Sequence, residues 1–411
     1  MLDELTTQPL PEVDADTFTA AFGESLQATL DLNTWQPGEN LAALYDRLAA
    51  EVRAAVAQEQ RVVEPFRRMV FPRLQKRHGA PPGAGVHTVS VEELERVHRG
   101  LLFNGAVEAC DGTIQVHDAL PLTVFQVGVG LVAYQGSEST WVQRLYRRDL
   151  RIALSDPAEE ALQLLERRNQ RGGLEALSTR DHLSQLARRA IMAYAERAIL
   201  LRRATAPWRL GHGSPVPFEL LTGSGSLDLM VEATRLLEEL ICGHQRFVFV
   251  PSSPPQRLLL SIGQALRPLQ YAIVQRLTEY LAPVFEHGVW RGRVTVDTTV
   301  DGQRLSPEAW VRRFRDQVVS QVVVGVYRAS AVAPPQLFYA HVDHAHVAAR
   351  IALADSVLQE HRGFPLLLDM AHRLCATSFG RDTLYGPLDV AYTEAGAPLR
   401  YLSERTTRYT A

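Results

Sequence analysis

The residues best suited to chemistry in this 411-residue chain are three carboxylates and one histidine, which fall on four separate segments. Asp111 ends a predicted strand in VEACDGT, where period-two alternation puts it on the same face as Val107 and Ala109. Burying an unpaired carboxylate is costly, whereas a bound divalent cation would keep it ionised. Asp111 is therefore a candidate metal ligand, and the alternative is an Asp-Gly turn between two hairpin strands.

Glu196 lies in AIMAYAERAIL, which has the pattern of a helix. Its neighbours three and four residues away are Met192, Ala193, Ile199 and Leu200, so no basic side chain faces it along the helix. A glutamate in such surroundings needs a partner from outside its helix. That partner is either a metal ion or one of the many arginines.

Glu219 and His372 are the other two candidates. Glu219 falls in PFELLTGSGS, which we interpret as a short strand before a Gly/Ser turn, with a solvent-facing edge position as the alternative. His372 lies in GFPLLLDMAH, a predicted helix with proline near its start, on which Phe364, Leu368 and His372 follow at four-residue steps. A histidine satisfied within the core is the alternative there.

Three carboxylates and a histidine on separate elements are the groups that a two-metal nuclease uses. Oxygen ligands hold Mg²⁺ or Mn²⁺, which polarises a phosphodiester and generates hydroxide for in-line attack. A histidine can orient water or protonate the leaving oxygen.

The chain organisation predicts an α/β domain preceded by a helical region. Residues 38–77 show an amphipathic helical pattern, and the Pro/Gly stretch 78–87 resembles a linker. We therefore divide the chain into an N-terminal helical region and linker, 1–87, and a main domain, 88–411. Predicted strands of that domain are LLFNGAVEACDG, GTIQVHD, LTVFQVGVGLVAY, PFELLTG, RFVFV, 292–300, 318–327 and 336–342. Predicted helices are 90–99, 157–204, 226–243, 268–284, 346–360 and 364–377, and PWRLGHGSPVP interrupts the pattern.

Composition excludes several classes of protein. The formal charge of -3 excludes a globally basic nucleic-acid coat but permits a local basic channel. Three cysteines without a CxxC pair indicate a reduced setting. The sequence has neither a signal-peptide pattern nor an apolar run long enough to span a membrane, so we expect a cytoplasmic protein with no membrane contact. No GxxxxGK[ST] motif occurs, so ATP binding is not expected.

Taken in order, ACDGT, the helix with Glu196, FELLTGSGSL followed by a helix and RFVFVPSS, and GFPLLLDMAH resemble the NurA nuclease family over roughly residues 100–380. The resemblance implies an RNase H-like α/β core, with a mixed sheet flanked by helices. It also implies a ring-shaped homodimer, Mn²⁺ (or Mg²⁺) as cofactor, and a HerA-type hexameric ATPase as partner in the resection of DNA ends during repair.

Carried over by motif, the family's pattern makes Asp111, Glu196 and Glu219 the metal ligands and His372 the late histidine. The family has a turn that resembles Asp-Gly-Ser-Leu, but this sequence has Ser224 in place of the aspartate. The third acid must therefore come from another position, and Asp228 and Glu232 are the alternatives to Glu219. The family tyrosine eight residues before the histidine is here Phe364, and its role is open to Tyr339.

Basic and aromatic residues provide candidate DNA contacts, with a structural role as the alternative for the aromatic ones. The candidates are Trp141, Arg144, Arg147, Arg148, Arg202 and Arg203. The cluster HVDHAH, 341–346, is a possible metal site or a polar turn, and its histidines cannot converge on one ion without a bend. A degenerate NurA-like DNA clamp or adapter, which organises a translocase without cutting, is the alternative to an active nuclease.

Overall fold

The structure is a computed structural model that describes residues 15–35, 41–118, 122–136, 138–149, 185–221, 227–253, 257–287, 299–300, 302–398 and 400. It contains two compact units, Met1–Val63 and Glu64–Ala411, and each is described by itself. No helix in the described ranges is long and apolar enough to cross a membrane.

The helices of the N-terminal part are α1, Ala15–Phe22, α2, Leu26–Leu30, and α3, Leu41–Pro65. The amphipathic pattern predicted within 38–77 is thus confirmed as helix. The apolar side chains of Tyr45, Leu48 and Val52 on α3 are exposed.

The second unit alternates helices and strands. Its first elements are α4, Phe71–Leu74, β1, Gly85–Thr88, α5, Val91–Val97, β2, Val107–Asp118, β3, Leu122–Val132, β4, Ser139–Asp149, α6, Gln185–Arg202, β5, Trp208–His212, α7, Phe218–Leu221, α8, Leu227–Glu238, and β6, Phe247–Val250. The later elements are α9, Arg257–Ala265, β7, Gln270–Arg276, α10, Leu277–His287, β8, Thr299–Val300, β9, Gln303–Arg304, α11, Pro307–Arg313, β10, Val322–Arg328, β11, Gln336–His341, α12, Ala345–Val357, α13, Leu366–Phe379, and α14, Arg381–Glu394.

Within the described residues, nine strands form one mixed sheet in the order β1-β7-β10-β11-β6-β5-β2-β3-β4. The pairs β2–β5 and β5–β6 are parallel, and the remaining pairs are antiparallel. Five neighbouring strands, in the order β4-β3-β2-β5-β6, combine an antiparallel meander, β2-β3-β4, with the two parallel strands β5 and β6. Helix α6 precedes β5 in the chain, and helix α8 precedes β6. This is the topology of an RNase H-like core, so the predicted fold class is confirmed.

Helices cover both faces of the sheet because alternate strand residues are apolar on both sides. Phe247 and Phe249 of β6 pack on the face covered by α6 and α8, whereas Val248 and Val250 pack on the opposite face, beneath α12 and α13. A carboxylate on this sheet is therefore surrounded by apolar groups on either face.

Several sequence-based assignments are wrong. The segment PFELLTG contains the helical turn α7 instead of a strand, so Glu219 lies on a helix. The predicted helix 268–284 is divided between β7 and α10, because its first apolar residues fit a strand as well as a helix. The predicted break PWRLGHGSPVP contains the central strand β5.

The predicted linker 78–87 ends inside β1, which pairs with β7 at the edge of the main sheet. The two compact units divide between Val63 and Glu64, earlier in the chain. The predicted division of the chain into regions 1–87 and 88–411 stays a prediction from the sequence.

Close packing at glycines brings the sheet and its neighbours together. A Cβ on Gly211 of β5 would lie 2.1 Å from the ring of Phe249, and one on Gly128 of β3 would lie 2.2 Å from the ring of Phe379 at the end of α13. Real side chains do not tolerate such distances, so both positions require glycine.

We expect Gly211→Ala to lower the free energy of unfolding by about 1–3 kcal/mol, because the added methyl forces the buried ring of Phe249 to move. Urea unfolding of both proteins measures the difference. Gly243→Ala is the matched control, since its added Cβ would find only Glu239 Cγ, at 3.9 Å. Equal stability of Gly211→Ala and the wild type would contradict the packing described here.

Candidate active site

Asp111 lies in the middle of β2 instead of at a strand end, because β2 runs without interruption from Val107 to Asp118. The hairpin-turn alternative is therefore wrong. Its side chain shares a face with Val107 and Ala109, as alternation predicts, and the residue is only 3% exposed. A carboxylate buried in this position needs compensation.

Two imidazoles provide that compensation. Nδ1 of His212, the last residue of β5, lies 3.1 Å from Asp111 Oδ1, and Nδ1 of His372 on α13 lies 2.8 Å from Oδ2. Burial alone would raise the pKa of Asp111, but hydrogen bonds and charge from the two histidines outweigh it and lower that pKa. Asp111 is therefore ionised at neutral pH.

His212 is the site residue that the sequence did not reveal. Burial opposes its protonation, but the hydrogen bond and charge of Asp111 outweigh burial and raise the pKa of His212. Its Nε2 lies 3.0 Å from the hydroxyl oxygen of Ser252, just after β6, and its ring meets the ring of Phe364 edge-on. A short strand ending in histidine before Gly-Ser-Pro was the available indication.

Glu196 reaches the same strand from the opposite face of the sheet. It lies on α6 and is buried, and a Cβ on Gly112 would come within 2.7 Å of its Oε1. Burial raises the pKa of Glu196, the charge of neighbouring Arg197 opposes this, and the charge of Asp111 adds to it. Glycine at position 112 is thus what allows Glu196 to lie beside β2.

The sheet is open where the two carboxylates approach. Parallel pairing between β2 and β5 extends to Cys110 and Gly211, and β5 ends one residue later at His212. Beyond that point no strand in the described ranges pairs with β2 on the β5 side. The carboxyl ends of parallel strands are the usual position of sites in α/β sheets.

Arg197 fixes both Glu196 and the segment after β5. Its buried guanidinium donates to Glu196 Oε2 at 2.8 Å and to the carbonyl oxygens of Ser214 and Pro215. The guanidinium carbon of Arg197 also lies over the ring of Phe249, 5.4 Å from the ring centroid. Glu196 therefore has an arginine partner, as the alternative interpretation expects, but the partner comes from the same helix and not from outside it.

The third predicted acid stays a prediction. Glu219 is half-buried on α7, and Glu232 on α8 is exposed and pairs with Arg235 at 2.6 Å. Neither is among the groups that act most strongly on Asp111 or Glu196. The side chain of Asp228 and the turn with Ser224 lie outside the described residues.

Candidate DNA contacts are only partly described. Trp141 on β4 packs against the core, and the guanidinium of Arg203 lies 5.3 Å from its ring centroid. Arg202 pairs with Glu239 at 2.6 Å. The side chains of Arg144, Arg147 and Arg148 on β4 lie outside the described residues.

The histidines of 341–346 divide into a pair and a single residue. His341 ends β11 and is buried, and its ring centroid lies 5.9 Å from that of His344, whose ring also meets Trp208 edge-on. His346 lies apart from this pair in its contacts, with Nδ1 2.8 Å from the Tyr271 hydroxyl.

The donor set at Asp111 fits a divalent cation in its chemistry. Asp111, His212 and His372 would offer carboxylate oxygen and imidazole nitrogen, which are donors that divalent cations bind in proteins. The negative charge of Asp111 raises the pKa of Glu196, and a cation bound between the two carboxylates would offset this repulsion. Within the described ranges, however, no three His, Cys, Asp or Glu side chains form a ready-made metal cluster. Binding would require the imidazoles to turn from Asp111 toward the ion.

Fold and site together define an α/β protein with an RNase H-like core and a buried carboxylate–imidazole centre. No protein-family model and no curated protein matches the sequence. Among solved structures, the chain is similar to the NurA nuclease from Sulfolobus solfataricus, with 10% identity, a TM-score of 0.42, and coverage of 86% of this chain and 98% of that one. It is also similar to a structure of NurA with manganese, with 9% identity, a TM-score of 0.34, and coverage of 81% and 98%.

We expect Asp111→Asn to lower the pKa of His212, because the substitution removes the charge that outweighs burial. NMR titration of the imidazole ring measures this change. His341, whose neighbours are Asp343 and His344, serves as an internal control and should titrate as in the wild type. An unchanged titration of His212 would mean that Asp111 does not control its charge.

Proposed function

We propose that the chain is a metal-dependent DNA nuclease. The observation that carries this proposal is the buried, ionised Asp111 beside Glu196 at the open end of β5, with two imidazoles next to it. The motifs that resemble the NurA family include Asp111, Glu196 and His372, which independently favours the same activity.

Asp111 and Glu196 would hold Mn²⁺ or Mg²⁺, with a nitrogen ligand from His212 or His372. When bound, such an ion polarises the phosphodiester and lowers the pKa of a bound water. Glu219, which the resemblance gives as the third ligand, remains a proposal.

The protein's own side chains have distinct tasks in this proposal. Asp111 supplies an oxygen donor because its pKa is lowered, and Arg197 holds Glu196 in place. The side chain of His372 is 66% exposed, so its imidazole is accessible for proton transfer to the leaving oxygen.

DNA would follow the basic and aromatic residues of β4 and α6. Arg203, stacked on Trp141, is the described part of that path, and guanidinium groups suit phosphate oxygens. Arg144, Arg147, Arg148 and Arg202 complete it in the proposal.

Partners follow from the resemblance. The chain would act in the cytoplasm as a homodimer, together with a HerA-type hexameric ATPase. The ATPase would supply the energy from ATP hydrolysis, because this sequence contains no P-loop motif. End resection during DNA repair is the process proposed. The exposed apolar residues of α3 make region 1–87 a candidate for partner contacts.

A DNA clamp without nuclease activity is the second candidate. The observation that favours it is His212 next to Asp111, a position where a third carboxylate would strengthen cation binding. The pairing of Glu196 with Arg197 also fits this alternative.

Digestion of labelled single-stranded and blunt duplex DNA with Mn²⁺, Mg²⁺ or EDTA tests the proposal. Asp111→Ala should reduce metal-dependent cutting by at least about a hundredfold, because loss of a ligand weakens metal binding more than loss of an outer contact. Asp389→Ala, an exposed acid on α14, is the control and should cut normally. Absence of cutting by the wild type, even with the ATPase present, would favour the clamp.

A further inference from the structure

Asp355 is a completely buried acid that the proposed reaction does not use. It lies in the last turn of α12 and is 0% exposed. Burial raises its pKa to about 6, although hydrogen bonds from Tyr134 and Leu367 oppose the rise. At neutral pH the protein therefore keeps a buried charge in this place, which is costly unless its oxygens are well satisfied.

Both oxygens of Asp355 are satisfied, by two different elements. The hydroxyl of Tyr134, which follows β3, donates to Oδ1 at 2.5 Å. The backbone N–H of Leu367, in the first turn of α13, donates to Oδ2 at 2.9 Å. One carboxylate thus joins the end of β3 to the start of the helix that carries His372.

No other side chain in the described ranges caps the start of α13. Its N-cap residue is Pro365, which makes no side-chain capping hydrogen bond. The first N–H groups of a helix need acceptors, and a negative charge beside them is favourable. Asp355 performs the role of an N-cap from another helix.

The surroundings hold Asp355 in place. Nε2 of His98 lies 2.8 Å from the carbonyl oxygen of Ala354, which anchors the backbone next to Asp355. The Asp355 carboxylate is therefore a fixed acceptor for the start of α13.

The position of α13 along its axis decides whether His372 reaches Asp111. A shift by one residue moves a helical side chain by about 1.5 Å and turns it by about 100°. Nδ1 of His372 lies 2.8 Å from Asp111 Oδ2, and the thiol of Cys375 donates to the Asp111 carbonyl at 3.0 Å. Neither contact would survive such a shift.

We propose that Asp355, together with Tyr134, is a positioning residue that fixes α13 so that His372 meets Asp111. The positioning is a property of the metal-free protein, and only its effect on DNA cutting rests on the proposed function.

Three variants separate the possibilities. Asp355→Ala removes both acceptors, whereas Asp355→Asn keeps the shape, because its oxygen can accept from Leu367 and its amide can donate to the Tyr134 oxygen. Ser356→Ala is the matched control, since Ser356 is equally buried in the same helix but bonds to Tyr327.

Imidazole NMR and amide hydrogen exchange provide readouts that need no nuclease activity. In Asp355→Ala the His372 signals should lose the hydrogen-bonded shift that Asp111→Ala also removes, and the amide of Leu367 should exchange at least about tenfold faster. Asp355→Asn should restore both, and Ser356→Ala should change neither. For a wild type that cuts DNA, Asp355→Ala should lower kcat more than it changes KM.

Wild-type His372 signals in Asp355→Ala would overturn the proposal, and so would the same loss in Ser356→Ala. A wild type that fails to cut DNA, with the NMR and exchange results as expected, would refute the proposed nuclease and leave the positioning role intact.

Discussion

A carboxylate buried within an apolar sheet requires compensating groups, and the arrangement around Asp111 meets that requirement. Strand β5 ends where it can place His212 beside one oxygen, and α13 lies where His372 meets the other. Both contacts lower the pKa of Asp111, so that burial does not neutralise it. The result is a charged carboxylate that is buried in the protein, where electrostatic interactions are stronger than in water.

Glycines make this arrangement sterically possible. Gly112 leaves space for Glu196 on one face of β2, and Gly130, which pairs with Asp111 across the sheet, leaves space for Cys375 and the backbone of α13 on the other. A methyl group at either position would press against these neighbours. Helices α6 and α13 can therefore approach β2 from opposite faces of the sheet, at the consecutive residues Gly112 and Asp111.

Local patterns in the sequence were sufficient for part of the fold and of the site. Alternation placed Asp111 on the face of Val107 and Ala109, and helical spacing placed His372 on the same side of α13 as Leu368. Such regularities are local, so they survive without knowledge of the tertiary structure. The RNase H-like core was implied by the resemblance to the NurA family, and the strand order confirms it.

The remaining features depend on contacts distant in sequence. Pairing of β5 with β2 joins residues about a hundred positions apart, and this pairing alone brings His212 to Asp111. Strand β5 has only five residues and contains a glycine, which weakens its local pattern. The turn α7 was taken for a strand because four residues are too few to show a period, and this error placed Glu219 on the wrong element.

Anomalous diffraction from crystals soaked in Mn²⁺ tests the central claim most directly, since it shows the position of the ion itself. The account predicts an anomalous peak in contact with Asp111 and with Glu196, His212 or His372, and no peak in Asp111→Ala crystals. A protein that cuts DNA with Mn²⁺ but binds the ion away from Asp111 would contradict it.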